Sequence, residues 1–398
     1  MGTVRDVKID EYIEKVCSQI KFREVHQEIK LELKGHLEEL IEELLSDGLS
    51  EEQAVDKAIL QMGSFQSLGK KLNEIHKPKP EWSILSLSLI FLIISIFSMY
   101  LIERQGILPV TSIFTRSLIF MVIGMLMVTG FYLFDYRKLE PYSRHIYWGI
   151  SSILFLTIIF GSQVNGKSYF SIAGISIDVV EISPMLFAVA LAGIFKNWNW
   201  SEKVSALQGL ALCIIPVALI ISSGSFSSSM IMFVACITLM IVTGAGVLNY
   251  LSIFGFYSLT ILAFVIMYKI QGFSVFVFSI GTSQGAGIHT DFVFTYILHT
   301  FGWVVSIVLI ALIIIFHVRL LKVIGVAKNN YAKLMINGFI SIFAVQYMWN
   351  ILMNLGFVPI TGIGLPFISY GGSQLLLNAM SLGLISSIYR RRNISSTI

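Results

Sequence analysis

Two carboxylates and one irregular stretch stand out in an otherwise apolar chain. Asp291 sits in GIHTDFVF (287–294), where the polar His289 and Thr290 give way to Phe292, Val293 and Phe294. An Asp at a helix start can serve as an N-cap, accepting backbone N–H bonds. It can equally be a carboxylate at the lip of a cavity, able to act as a general base. The two roles are compatible. Glu181 sits in IDVVEISP (177–184). It is either a charge at the membrane surface near a helix start, with Pro184 in the first turn, or a buried carboxylate paired with a base such as Arg116 or Lys167. Such a pair would hold a cavity open and oriented. The stretch GIGLPFISYGGS (362–373) poses a different problem. Gly and Pro are unfavourable inside a helix, and bare backbone in lipid is worse. It is tolerated where it lines a cavity or packs in protein. The plainer alternative is close helix packing through small residues.

Other chemistry finds little support. His289 and His299 flank Asp291, but no Cys lies near them and no HExxH spacing occurs, so zinc is not expected. A loosely held divalent cation, Mg or Mn, has Asp291 as its candidate ligand. GSFQSLGKK (63–71) has one residue too many between its glycines and no Ser or Thr after the lysine, so it is no phosphate loop; a helix break suffices. Cys17, Cys213 and Cys236 lie far apart and read as packing residues, with no structural disulfide expected. With a charged N-terminus no signal peptide is expected, and MGTVRD lacks the Ser or Thr of a myristoylation motif.

The elements that must position these residues are membrane helices. The 398 residues are 55% hydrophobic and 13% charged, with mean hydropathy +0.78, where a soluble chain is nearer a quarter charged. Charge divides the chain. Residues 1–80 hold 12 Lys and Arg against 16 Asp and Glu, and the remainder holds 16 against 8. A small acidic soluble domain, 1–80, therefore precedes a basic and very apolar membrane domain, 81–398.

In the first domain Ile9, Tyr12, Ile13, Val16 and Ile20 follow a helical period. Ile29, Leu33, Leu37, Leu40, Ile41 and Leu44 do so again. Asp47-Gly48 ends that helix. Ser50 with Gln53 forms a capping box for the next. Gly63 ends that one, and a last helix carries Leu68, Leu72 and Ile75 before the linker Lys77-Pro-Lys-Pro80.

Ten apolar stretches follow, near 83–102, 117–134, 146–161, 180–195, 205–222, 229–246, 250–268, 292–316, 335–354 and 368–389. The predicted class is an all-α polytopic membrane protein. An even count puts both ends on one side. Loops on that side carry Arg137, Lys138, Arg144, Lys196, Lys203, Arg319, Lys322, Lys328 and Lys333, and the tail adds Arg390, Arg391 and Arg392. Opposite loops carry few bases, among them Arg104, Arg116 and Lys167. The positive-inside rule then makes both ends cytoplasmic. Of the eight acids after residue 80, Glu103, Asp178, Glu181 and Asp291 fall on the outer side.

GFVPITGIGLPFISYGGSQLLLNAMSLGLI (356–385) closely resembles the signature of the SEDS family of shape, elongation, division and sporulation proteins, the FtsW, RodA and SpoVE group. DYRKL (135–139), HTDFVF (289–294) and QYMWNILMNLGFVPITG (346–362) match as well. The resemblance spans about residues 83–390. It implies ten membrane helices with cytoplasmic ends in the bacterial plasma membrane. It also implies a glycosyltransferase that polymerises lipid II at the outer face, with a class B penicillin-binding protein as partner and no nucleic acid. Lipid II is a disaccharide-pentapeptide on undecaprenyl pyrophosphate. An older reading makes such proteins lipid II flippases. Residues 32–64 resemble the small helical prefix of some bacterial permeases, a domain for interaction or regulation.

By this resemblance Asp291 takes the place of the essential carboxylate, within the His289-Thr290-Asp291 motif. Its implied role is to take the proton from the acceptor sugar's 4-hydroxyl. Arg116, Lys167 and Glu181 fall at the family's binding positions. Pro366, Ser369, Tyr370, Gly371 and Gly372 become wall and hinge of the lipid II cavity. The chain also departs from the pattern. Gln-Pro-Ser is Asp178-Val179-Val180, and the lysine three residues after the glutamate is Pro184. Ser225 stands at an aspartate's place, and the acidic pair after HTDF is His299-Thr300. Three functions follow as expectations: a polymerase, a lipid II transporter, and a catalytically weak relative that scaffolds a wall-synthesis partner.

Overall fold

The computed structural model describes residues 4–78, 80–106, 112–164, 167–172, 175–270 and 287–392. It divides into two compact units, one of residues up to Pro80 with the tail from Arg390, the other Glu81–Tyr389.

The first unit is a cluster of four helices, α1 (Val4–Ser18), α2 (His26–Ser46), α3 (Glu51–Met62) and α4 (Phe65–Ile75). The periodic residues form its core: Ile9, Ile13, Val16, Ile29, Leu37 and Ile41 are all buried. Ile75, expected on the apolar face, is instead 62% exposed, because it falls at the last position of its helix. The capping box forms as read, with Ser50 and Gln53 bonded reciprocally. Gly63 ends α3 at φ 87°, and its carbonyl accepts the Tyr12 hydroxyl at 2.9 Å. In the same unit Arg391 is buried, its Nε and Nη2 donating to the Glu24 carboxylate at 2.5 and 2.8 Å. Ser50→Ala should cost α3 about 1 kcal/mol. Hydrogen exchange of the α3 amides in the full chain should then quicken about fivefold, with α1 less affected.

The second unit contains ten helices among the described residues. They are α5 (Trp82–Arg104), α6 (Ile113–Leu133), α7 (Ser143–Phe160), α8 (Val179–Phe195), α9 (Lys203–Ser222), α10 (Phe226–Val242), α11 (Val247–Ile270), α12 (Val293–Val326), α13 (Asn330–Asn354) and α14 (Gly372–Arg390). Each falls on one expected span. Six helical stretches are long and apolar enough to cross a bilayer by length and composition. α8, α10 and the part of α11 up to Leu262 are shorter apolar helices. The chain is a multi-pass membrane protein.

α13 is the axis of the bundle. Two-thirds of its apolar window, 67%, is buried, against 17% for α6. α8, α10 and α12 pack around it. Gly338 brings α13 close to α8: a Cβ there would lie 3.0 Å from the Ala188 methyl, the close approach that small residues permit.

Two features depart from the sequence reading. α12 runs ten residues past the expected 316 and kinks at Gly302, whose φ is 79°; only glycine takes that conformation cheaply. The segment after α7 is a small antiparallel sheet, β1 (Ser162–Val164), β2 (Lys167–Ile172) and β3 (Ile175–Ile177), in the order β1-β2-β3. Ser162 faces Tyr169 and Phe170 faces Ile177. The Ser168 amide donates to the Ser223 carbonyl at 3.0 Å, tying the sheet to the end of α9.

Candidate active site

Asp291 lies in a tight turn that leads into α12. Gly287, at φ 89°, accepts the amides of Thr290 (3.1 Å) and Phe292 (3.0 Å) through its carbonyl. The helix itself begins at Val293. Its cap position is Phe292, which gives no side-chain cap bond. The residue at the cap position is therefore Phe292 and not Asp291, because the turn moves the helix start one residue on. The turn is held from α13. The Asp291 carbonyl accepts the side-chain amides of Asn350 (2.9 Å) and Asn354 (3.0 Å). Tyr347, Asn350 and Asn354 are three and four residues apart, so they share one helix face.

That face also holds GIGLPFISYGGS. The Asn350 amide donates a second bond to the Ile363 carbonyl at 2.6 Å. The Tyr347 hydroxyl donates to the Pro366 carbonyl at 2.9 Å. Residues 361–371 are thus a compact non-helical segment ahead of α14, not the first turn of a span. Phe367 takes φ 64°, a strained value for a non-glycine residue. Packing against the Phe316 and Phe343 rings holds it there.

The segment and the Asp291 turn are also joined directly. The Ser369 hydroxyl donates to the Thr290 carbonyl at 2.5 Å and accepts the Leu365 amide at 2.7 Å. The Tyr370 amide donates to the His289 carbonyl at 2.8 Å, and the two rings sit 5.4 Å apart. Gly364 allows this closeness: a Cβ there would lie 3.0 Å from the Ser369 Cβ. Gly372 packs beneath the Phe120 ring of α6. Ser369, Tyr370 and Gly371 then line a narrow cleft with Ser95 of α5 and Ser117 of α6. Ser369→Ala removes one donor and one acceptor together. It should lower stability by about 1–3 kcal/mol, read as a fall in melting temperature of the purified protein.

His289, Thr290, Asp291, Pro366, Ser369, Tyr370 and Gly371 therefore form one bonded assembly. Partial burial pushes the His289 imidazole below its usual pKa, so the ring is neutral at neutral pH. The other candidates lie on other elements. Arg116 is exposed in the first turn of α6, beside Ser117. Among the described residues it forms no ion pair with Glu181, contrary to that expectation, because α6 packs on α5 rather than α8. Lys167 opens β2, and its side chain lies outside the described residues. Glu181 is half-buried in the first turn of α8, its amide donating to the Asp178 carboxylate at 3.0 Å. Burial raises the Tyr169 hydroxyl pKa, and the Asp178 and Glu181 carboxylates raise it further. Tyr169 and these two acids are therefore neighbours.

The departures are placed too. Ser225 is buried and caps α10, its hydroxyl accepting the Ser228 amide at 3.3 Å. Pro184 is buried within α8, and His299 is exposed on α12. Glu103 caps α6 by accepting the amides of Ser112 (3.2 Å) and Phe114 (2.7 Å). In the DYRKL segment Arg137 pairs with the Asp135 carboxylate at 2.9 Å. Asn350 and Asn354 were not among the predicted site residues. Their signal was two amides four apart in an apolar span, where polar side chains are costly and functional by default. Among the described residues no cluster of three His, Cys, Asp or Glu could hold a metal. Asp291 could hold only a hard cation that keeps water and substrate phosphates as its other ligands.

Comparison with known proteins agrees with this architecture. Residues 80–287 and 286–394 match the profile of a family described as "Cell cycle protein", that of FtsW, RodA and SpoVE. A relative in Coxiella burnetii, "Probable peptidoglycan glycosyltransferase FtsW", is 25% identical over 350 residues, covering 77% of this chain and 93% of its own. The crystal structure of the rod shape determining protein RodA of Thermus thermophilus aligns with a TM-score of 0.65 at 21% identity. It covers 79% of this chain and 97% of that one. A structure described as "Structural coordination of polymerization and crosslinking by a peptidoglycan synthase complex" aligns at 0.66 and 19% identity, covering 79% and 99%. At these identities the structural likeness speaks for the fold.

Proposed function

The chain belongs to the cell cycle protein family of FtsW, RodA and SpoVE, and on that footing we propose that it is a membrane-embedded peptidoglycan glycosyltransferase that polymerises lipid II. The observation that carries the site assignment is the stapling of the Asp291 turn to the signature segment through Ser369, Tyr370 and Asn350. That stapling fixes the backbone of one carboxylate beside a cleft.

In this reading the acceptor's 4-hydroxyl oxygen attacks the donor's anomeric carbon and its proton passes to the Asp291 carboxylate. The bond from that carbon to the pyrophosphate oxygen breaks, and undecaprenyl pyrophosphate leaves with the electron pair. Inversion at the carbon follows from attack opposite the leaving group. The leaving group is already an anion of low basicity, so no strong general acid is required. Arg116 and Lys167 are proposed to bind the lipid pyrophosphate, and Glu181 to hold a neighbouring base such as Lys167 in orientation at the substrate cavity. A divalent cation on Asp291 would supply charge stabilisation for that leaving group. Neutral His289 orients Tyr370 rather than adding positive charge. Pro366, Gly371 and Gly372 shape the cleft wall.

The outer face of the plasma membrane, with both ends cytoplasmic, follows from the loop charges. A class B penicillin-binding protein is the proposed crosslinking partner. The proposed site lies at one end of α13. A transporter site would be expected nearer the membrane midplane. Reconstituted vesicles carrying labelled lipid II distinguish the two functions. We expect glycan strands with no transfer of the label between leaflets. Label transfer without strands would reject the polymerase.

A further inference from the structure

The opposite end of α13 carries a second feature that polymerisation does not use. Where its first turn meets the last turns of α8 and α10 lies an open pocket of about 260 Å³. Lys196, Asn197, Asn330 and Lys333 supply its polar lining, and Phe195 and Leu334 its apolar floor. Lys333 lies 21 residues before Asn354 on one helix, roughly 30 Å at 1.5 Å per residue. The cavity is therefore separate from the Asp291 site.

Its charge is not balanced from within. Lys196 is held by the Glu140 carboxylate at 2.6 Å, so that pair is close to neutral. Lys333 is half-buried, and among the described residues its ammonium has no hydrogen-bond or ion-pair partner. An ammonium partly withdrawn from water favours an anion beside it. The aromatic surroundings of the pocket point to the kind. Trp198 and Trp200 both pack edge-on against Phe195, with ring centroids 5.4 Å apart. Their indole N–H groups are bonded to the Ser205 carbonyl and the Thr243 hydroxyl. Tryptophans gather at the headgroup level of a bilayer. A cationic pocket at that level, over an apolar floor, suits a phosphate whose attached chains continue into lipid.

We propose that this cavity binds the phosphate of an anionic phospholipid headgroup, in the leaflet opposite the Asp291 site. The Lys333 ammonium pairs with the phosphate, and the Asn197 and Asn330 amides donate to its oxygens. Occupancy would steady the junction of α8, α10 and α13, the helices that support the active-site face from the other end.

Native mass spectrometry of the purified full-length protein tests this, with phosphatidylglycerol, phosphatidylcholine or millimolar inorganic phosphate as probes. The wild type should retain phosphatidylglycerol in preference to phosphatidylcholine. Lys333→Gln should lower that retention about fivefold, since one Lys near the surface is worth roughly 1 kcal/mol. Asn330→Asp, at an exposed rim position, should act in the same direction through like-charge repulsion. It carries the test if Lys333→Gln misfolds. Asp291→Asn should retain the lipid as the wild type does. Displacement of the lipid by inorganic phosphate in a Lys333-dependent manner would keep the phosphate site and assign it a soluble source. Equal retention of the two lipids, or wild-type retention by folded Lys333→Gln and Asn330→Asp proteins, overturns it.

Discussion

Asp291→Asn is expected to lower the rate of strand synthesis by about 10²–10⁴-fold, the range a positioned general base contributes. The amide keeps the size of the carboxylate and loses its proton affinity. Little else should change. Its carbonyl accepts Asn350 and Asn354 with either side chain, and the residue at the α12 cap position is Phe292. The loss should therefore appear in kcat, with lipid II binding and melting temperature close to wild type. An unfolded or unstable variant would instead mean that the carboxylate is structural.

Asn350→Leu should be the second large effect, by a different route. Asn350 is fully buried, and its amide bridges the Asp291 and Ile363 carbonyls. Leucine fills a similar space but donates nothing. The Ile363 carbonyl then loses this donor in a water-poor interior, at about 1–3 kcal/mol, while the Asp291 carbonyl keeps only Asn354. The melting temperature should fall. Activity should fall further than stability explains, since a displacement of about 1 Å at a reacting group can cost about 10²-fold. Asn354→Leu should be milder, because Asn350 still holds the Asp291 carbonyl. Full kcat in a folded Asn350→Leu protein would show that the staple does not position the carboxylate.

Much of the fold was legible because apolar runs of membrane length have few alternatives. The ten helices fall on ten such runs, and the periodic Ile and Leu residues of the first 80 positions form the core of their unit. The active-site motif was legible as a pattern, since Pro, Gly and Ser in an apolar setting must be explained by packing or a cavity. Its contacts were not legible. Ser369 and Tyr370 meet His289 and Thr290 across 79 or more residues of chain, and no local rule pairs them. Local reasoning also put Asp291 at an N-cap, where the turn at Gly287 moves the helix start to Val293. The sheet after α7 escaped notice because three short strands in one loop leave almost no periodic signal. Of the two bases that charge alone offers Glu181, Arg116 lies on α6 against α5, a placement no local pattern encodes, and the Lys167 side chain lies outside the described residues.

Strand synthesis from purified lipid II in detergent micelles tests the central claim most directly. Micelles have no second leaflet, so transport cannot consume the substrate. The wild-type chain should convert lipid II into glycan strands while Asp291→Asn leaves it essentially unreacted at equal protein and equal melting temperature. Strands of wild-type length and yield from Asp291→Asn, or an inert wild type that still binds lipid II, would contradict the account.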